Sequence, residues 1–261
     1  MNLSGFSREI VRPDNGCIGI FGGEGSGKTN LCSTATEWAM ERDQTPGWIV
    51  CDRKSRKTIK DYHDQRDLPL PYINTEDFIS QKEALALATN TNYDKVRKTY
   101  DAVVDRLLEA IVMLASHSHI NPIIEDSGTQ IWDWMSYSHF GRKQDVGRAR
   151  VWGPVKQDWT DMIDSLQHKL VLITLKAKNE WKNDSRTDEY TWDGPPHLGY
   201  CTTSIVRCNF DRNKQTDDVA DKFSLDVVES QDNCGLAGVN GVLVGQSITL
   251  MSLMALLRPG E

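Results

Sequence analysis

The strongest chemical signal in this chain is the run Gly22-Gly23-Glu24-Gly25-Ser26-Gly27-Lys28-Thr29, a complete Gly-x-x-x-x-Gly-Lys-Thr phosphate-binding loop. The residue types follow from the ligand they suit. A triphosphate tail needs many donors at close range, and the backbone N–H groups of a glycine-rich turn supply them. Lys28 adds a point charge for the β- and γ-phosphates, and the Thr29 hydroxyl is a magnesium ligand. Asn30 follows in the first helical turn and completes the expected binding set. The expected ligands are ATP and Mg²⁺.

Such a loop works only between a strand and a helix. Cys17-Ile18-Gly19-Ile20-Phe21 is a short apolar run suited to a buried strand. From Thr29 to Arg42, Leu31, Ala35, Trp38 and Ala39 recur at helical spacing, which predicts one helix.

A nucleotide site also needs a carboxylate on the metal side, at the end of a neighbouring strand. Ile123-Ile124-Glu125-Asp126-Ser127 has that form. Asp126 is the candidate, and by strand alternation Glu125 points the other way. The competing role is a helix cap, with Asp126 or Ser127 starting the next helix. Ile173-Thr174-Leu175-Lys176-Ala177-Lys178 ends a further strand, where Thr174 or Lys176 could sense the γ-phosphate or simply be exposed polar residues.

Composition bounds the rest. With 261 residues, 39% hydrophobic and 26% charged, the chain suits one α/β domain with a sizeable core. Its net charge of −7 does not advertise nucleic-acid binding over the whole surface, although local patches could. No apolar run reaches the roughly 18 residues of a membrane span; the longest, Gly241 to Leu257, is interrupted by Gln246, Ser247, Thr249 and Ser252. The first fifteen residues lack a signal-peptide core, so the expected location is the cytoplasm, without a membrane partner. None of the six cysteines forms a Cys-x-x-Cys pair, which suits reduced, buried thiols.

Further strands are expected at Trp48–Cys51 and Leu70–Ile73, and helices at Glu76–Ala88, Lys95–Ala115, Ile131–Tyr137 and Asp158–His168, before a strand at Leu170–Leu175. This alternation predicts a mostly parallel sheet covered by helices. Beyond it, Glu180 to Trp192 reads as a hairpin around Asp184-Ser185-Arg186. Thr203–Phe210 and Phe223–Val228 read as strands, and Ser247–Leu257 as a last helix. The expected organisation is one domain over 1–261, with a core from about 12 to 215 and a β-rich C-terminal extension from 216 to 261.

Two stretches are locally basic. Arg53, Lys54, Arg56, Lys57 and Lys60 contain no acid among them, and Arg142, Lys143, Arg148, Arg150 and Lys156 have only Asp145, with Trp152 alongside.

The loop, with Glu24 at its third position, resembles the RecA form of the motif, and Asp126-Ser127 resembles the Asp-Ser that ends the second RecA motif. Ile124 to Trp132, then Trp159, then Leu172 to Lys178, looks like the compact RecA-like P-loop ATPases of phages and archaeal viruses, some of which act in single-strand annealing or recombination. The resemblance covers roughly residues 12 to 215. It implies a RecA-like α/β core, ATP hydrolysis, self-association into a ring or filament, and action on single-stranded DNA in viral recombination, annealing or replication, in the host cytoplasm. It also implies partner-binding loops at 139–154 and 179–200. There Arg142, Lys143, Arg148, Arg150, Lys176 and Lys178 would contact single-strand phosphates or a neighbouring subunit's nucleotide, or form a plain solvated basic face, and Trp152 or Trp181 could stack on a base.

One departure stands out. RecA-like ATPases carry a catalytic glutamate just past the second strand, where this chain reads Cys51-Asp52-Arg53-Lys54. Asp52 or Glu125 would have to substitute, or hydrolysis would be slow. The alternative function is an ATP-dependent assembly or switch protein that binds protein partners without DNA, and a small-molecule kinase shares the same loop.

Overall fold

The computed structural model describes residues 15–51, 53–66, 72–142, 149–182 and 185–259. The chain runs β1 (Gly16–Gly22), α1 (Lys28–Ser33), α2 (Ala35–Met40), β2 (Thr45–Val50), α3 (Arg53–Asp64), β3 (Tyr72–Asn74), α4 (Gln81–Ala88), α5 (Tyr93–Ser116), β4 (Ile120–Asp126), α6 (Gly128–Phe140) and α7 (Gly153–Ser165). It continues with β5 (Leu170–Lys182), β6 (Ser185–Asp193), α8 (Leu198–Cys201), β7 (Ser204–Phe210), β8 (Phe223–Ser230), β9 (Val239–Val244) and α9 (Leu250–Leu257).

The strands form one nine-stranded sheet in the order β3-β2-β4-β5-β1-β7-β8-β9, with β6 paired to β5 off that path. From β3 across to β7 every pairing is parallel. The β5–β6, β7–β8 and β8–β9 pairings are antiparallel. The architecture is therefore the expected α/β one, a mostly parallel sheet covered by helices with a β-rich C-terminal extension.

Alternation along the strands sorts side chains into two layers. Cys17, Phe21, Ile123, Val171 and Ile173 pack with α5, α6 and α7. Ile18, Ile20, Ile124, Leu170 and Leu172 pack with α1, α2, α3 and α9. Helix α5 buries Val96, Tyr100, Val103, Leu107, Ile111 and Leu114, a stripe at three- and four-residue helical steps.

Several boundaries differ for identifiable reasons. The single helix expected over 29–42 is broken at Thr34, whose hydroxyl donates to Leu31 O (2.6 Å) and accepts from Leu250 N (2.8 Å), tying the break to the start of α9. Strand β2 runs through Pro46-Gly47, and the register shift between Thr45 and Gly47 absorbs the proline's missing donor. Helix α7 starts at Gly153 because Pro154 suits a first helical turn. Strand β5 is twice the expected length. Its first half lies between β4 and β1, and its second half leaves with β6 as the hairpin expected near residue 184, whose tip at 183–184 lies outside the described residues.

The first basic stretch is helix α3. It buries Ile59 and His63, and its cations are largely paired: Lys54 with Glu24, Arg56 with Glu76 (3.2 Å) and Lys60 with Asp64. Among the described residues no helix is long and apolar enough to cross a membrane. Cys17, Cys32 and Cys208 are buried free thiols, as expected; Cys51 and Cys201 are half-buried, and Cys234 is exposed.

Candidate nucleotide-binding site

Strand β1 delivers the loop at the carboxyl end of the sheet. Gly22 is required because a Cβ there would lie 2.4 Å from Cys208 O on β7. Gly27 is required because φ is +91° where the chain turns into α1. Lys28 folds over the loop, its Nζ donating to Gly22 O (2.8 Å) and Gly23 O (2.9 Å). Burial lowers the Lys28 pKa, with the nearby Cys208 and Asp126 opposing the shift.

The metal side lies one strand beyond β5. Thr29 Oγ1 donates to Asp126 Oδ2 at 2.7 Å, and Thr174 Oγ1 donates to Asp126 Oδ1 at 2.6 Å. Asp126 is only 3% exposed, so these hydroxyls offset the cost of burying its charge. The helix-start alternative is met in position alone: Ser127 occupies the N-cap of α6 without a side-chain capping bond, while Asp126 accepts from the two threonines. A magnesium ion fits this donor set. It keeps several waters and uses one or two protein oxygens beside phosphates, and Thr29 offers such an oxygen with the Asp126 carboxylate directly behind it.

The loop, Asp126, Thr174, Lys176 and Ala177 line one cleft of about 670 Å³, together with Lys54, Ser55 and Thr58 of α3. The α3 residues were not foreseen; the acid-free basic run was the available signal. Glu24 and Lys54 pair across the mouth of the cleft, and the hydrogen bond from Lys54 lowers the Glu24 pKa. Both side chains are exposed, so the pair is screened by solvent.

Glu125 proves to be a different kind of residue. It has no exposure, neither carboxylate oxygen has a hydrogen-bond partner among the described residues, and burial pushes its pKa up to about 8. It faces the α5–α7 layer, outside the cleft lining, where its charge also bears on Cys17 and Cys51. The expectation that Glu125 could activate water is corrected: alternation carries it away from the nucleotide. Asp52 lies outside the described residues.

The partner-binding candidates separate in the same way. Trp152 is 9% exposed and stacks on Trp132 (5.6 Å), with Phe140 at its edge (5.2 Å), so it is a packing residue and no free base platform. Arg142 lies over the Tyr93 ring at 5.1 Å. Lys143, Arg148 and the side chains of Arg150 and Trp181 lie outside the described residues. Lys178 pairs with Asp193 at 3.3 Å across the hairpin. Thr129, at the start of α6, clamps the hairpin base: its hydroxyl donates to Asp193 O (2.5 Å) and accepts from Lys176 N (2.9 Å).

No protein-family model matches the chain. No curated protein matches it either. Among solved structures it is similar to the flagellar accessory protein FlaH from Methanocaldococcus jannaschii, at 12% identity and a TM-score of 0.47, over 89% of this chain and 88% of that one. At that level of similarity, the nucleotide reading stands on the residues of the cleft themselves.

Proposed function

We propose that the chain binds ATP with Mg²⁺ at the phosphate loop and hydrolyses it. The observation that carries this reading is the Thr29–Asp126–Thr174 constellation beside Lys28: two hydroxyls converge on one buried carboxylate at the edge of a glycine loop. When bound, magnesium would neutralise phosphate charge and polarise the transferred group. Lys28 would then hold the β- and γ-phosphates, Asp126 would hold Thr29 and the ion's side of the site, and Thr174, which donates to Asp126, would face the γ-phosphate.

Glu24 and Asp126 are the carboxylates in the described lining, and both are engaged, Glu24 by Lys54 and Asp126 by two threonines. Turnover by the isolated chain is therefore slow, and a partner that orders the cleft accelerates it. Calorimetric titration with Mg·ATP tests the binding. Wild type binds, Lys28→Ala loses most of the affinity while remaining folded, and unchanged affinity in that variant contradicts the reading.

The proposed partner is single-stranded DNA at the 142–150 segment and the β5–β6 hairpin, in a recombination, annealing or replication role, with self-association completing the site. Supporting this are the density of cations in that segment and a hairpin that grows from the strand carrying Thr174 and Lys176. Binding should weaken as salt rises, and replacing Arg142, Lys143, Arg148 and Arg150 with Ala should flatten that dependence. The second reading is a switch that binds a protein partner. The internal pairing of the α3 cations and the net charge of −7 favour it. Salt-insensitive or absent DNA binding selects this second reading.

A further inference from the structure

The loop strand β1 lies between β5 and β7 in the sheet. Asp126 and Thr174 stand on its β4–β5 side, which is where the metal-bound end of a triphosphate belongs. The base lies at the opposite end of a nucleotide. A ligand that ran from Asp126 across the loop would carry its base toward β7 and β8.

That side holds an aromatic pair. Phe210 ends β7 and Phe223 begins β8, and the two are direct partners in the antiparallel register. Their ring centroids are 4.7 Å apart, with the planes inclined by 39°. Phe223 reaches the loop itself: a Cβ on Gly27 would lie 3.3 Å from its Cδ1 and 3.5 Å from its Cε1. Neither ring belongs to the lining of the phosphate cleft; the approach of Phe223 to Gly27 is what joins the pair to the loop.

Core packing alone does not account for these rings. The other large aromatics against the loop's side of the sheet, Trp38 and Trp48, are 1% and 0% exposed, whereas Phe210 and Phe223 are only half-buried. The connection between them is held by its own bonds: Asp211 N donates to Lys222 O (2.9 Å), Lys214 Nζ to Asp221 O (2.8 Å) and Thr216 Oγ1 to Asp221 Oδ2 (3.2 Å). Two half-exposed rings, fixed beside a phosphate loop, form a stacking surface set in place before the ligand arrives.

We infer that Phe210 and Phe223 take the nucleobase of the nucleotide held at the phosphate loop. The inference rests on the nucleotide reading and adds to it the group that distinguishes a nucleoside triphosphate from inorganic polyphosphate. Stacking accepts any base through its π-face, so this pair selects for a base more than for one particular base.

The test compares Mg·ATP with Mg·tripolyphosphate, titrated into wild type, Phe223→Leu, Phe210→Leu and Phe223→Tyr, each checked by thermal melting. Wild type binds ATP more tightly than tripolyphosphate. The two leucine variants weaken ATP about tenfold, roughly 1.4 kcal/mol, and leave tripolyphosphate unchanged; Phe223→Tyr keeps the ring and stays near wild type. Equal weakening of both ligands would overturn the inference, since the rings would then only support the loop. So would unchanged ATP affinity in the folded leucine variants. Wild type binding both ligands equally overturns the base contact but leaves the phosphate loop standing, whereas wild type binding neither removes both.

Discussion

Glu125 and Asp126 are adjacent on β4 and live in opposite layers of the molecule. Asp126 faces the layer of α1 and the phosphate loop, where Thr29 and Thr174 each donate to it. Glu125 faces the layer of α5, α6 and α7, where neither oxygen is bonded among the described residues and burial raises its pKa to about 8. One step along a strand turns a carboxylate held by two hydroxyls into a buried acid whose pKa is pushed up to about 8. The contrast teaches that strand parity, more than proximity in sequence, decides which acid can serve a nucleotide. The two layers differ in character as well: the α5–α7 side is stapled by the Trp132, Trp152 and Trp159 rings, while the loop side keeps its polar groups at the sheet's carboxyl end.

The largest effect should come from Lys28→Ala. Removing the cation of the loop should lower Mg·ATP turnover on the order of 100-fold without changing the melting temperature much. Steady-state phosphate release and a thermal melt check both halves, and a large stability loss would mean that Lys28 serves the fold more than the ligand.

Next comes the buried acid. In the folded chain Glu125 keeps its proton up to about pH 8, whereas an exposed glutamate loses it near pH 4.3. Between these values the folded state binds the extra proton. Stability is therefore fullest below the lower value and falls as pH rises through the window toward the upper one. Glu125→Gln removes that fall. The variant should melt at least several degrees above wild type at pH 8 and level with it near pH 4, and parallel melting curves at both pH values would break the contrast between the layers.

The smallest effect concerns the link between the layers. Thr129→Val deletes both hydroxyl bonds at the hairpin base and should cost about 1 kcal/mol, read from the urea midpoint. Binding of Mg·ATP should be unchanged. Weakened ATP binding would show that the hairpin base shapes the cleft directly.

Much of this arrangement is legible in the residues. The phosphate loop carries its chemistry locally, so its strand, turn and following helix can be read in order from Cys17 to Trp38, and the alternation of Ile124, Glu125 and Asp126 separates the two acids. Four features are not legible, three of them because they depend on distant partners. The pairing of Lys54 and Arg56 on α3 needs Glu24 and Glu76 in place. The burial of Trp152 depends on Trp132, twenty residues earlier in the chain. The Phe210–Phe223 pair needs the β7–β8 register, and β9 was hidden by its largely exposed positions, which show no buried stripe.

The measurement that tests the central claim most directly is Mg²⁺-dependent ATP hydrolysis by wild type, Asp126→Asn and Glu125→Gln, side by side at pH 7. Asp126→Asn keeps the shape and removes the charge that orients the magnesium side, so its rate should fall at least about tenfold, while Glu125→Gln should stay within about twofold of wild type because its side chain lies outside the cleft. A wild-type rate in Asp126→Asn with a lost rate in Glu125→Gln would contradict the account, because the roles of the two carboxylates would then be exchanged.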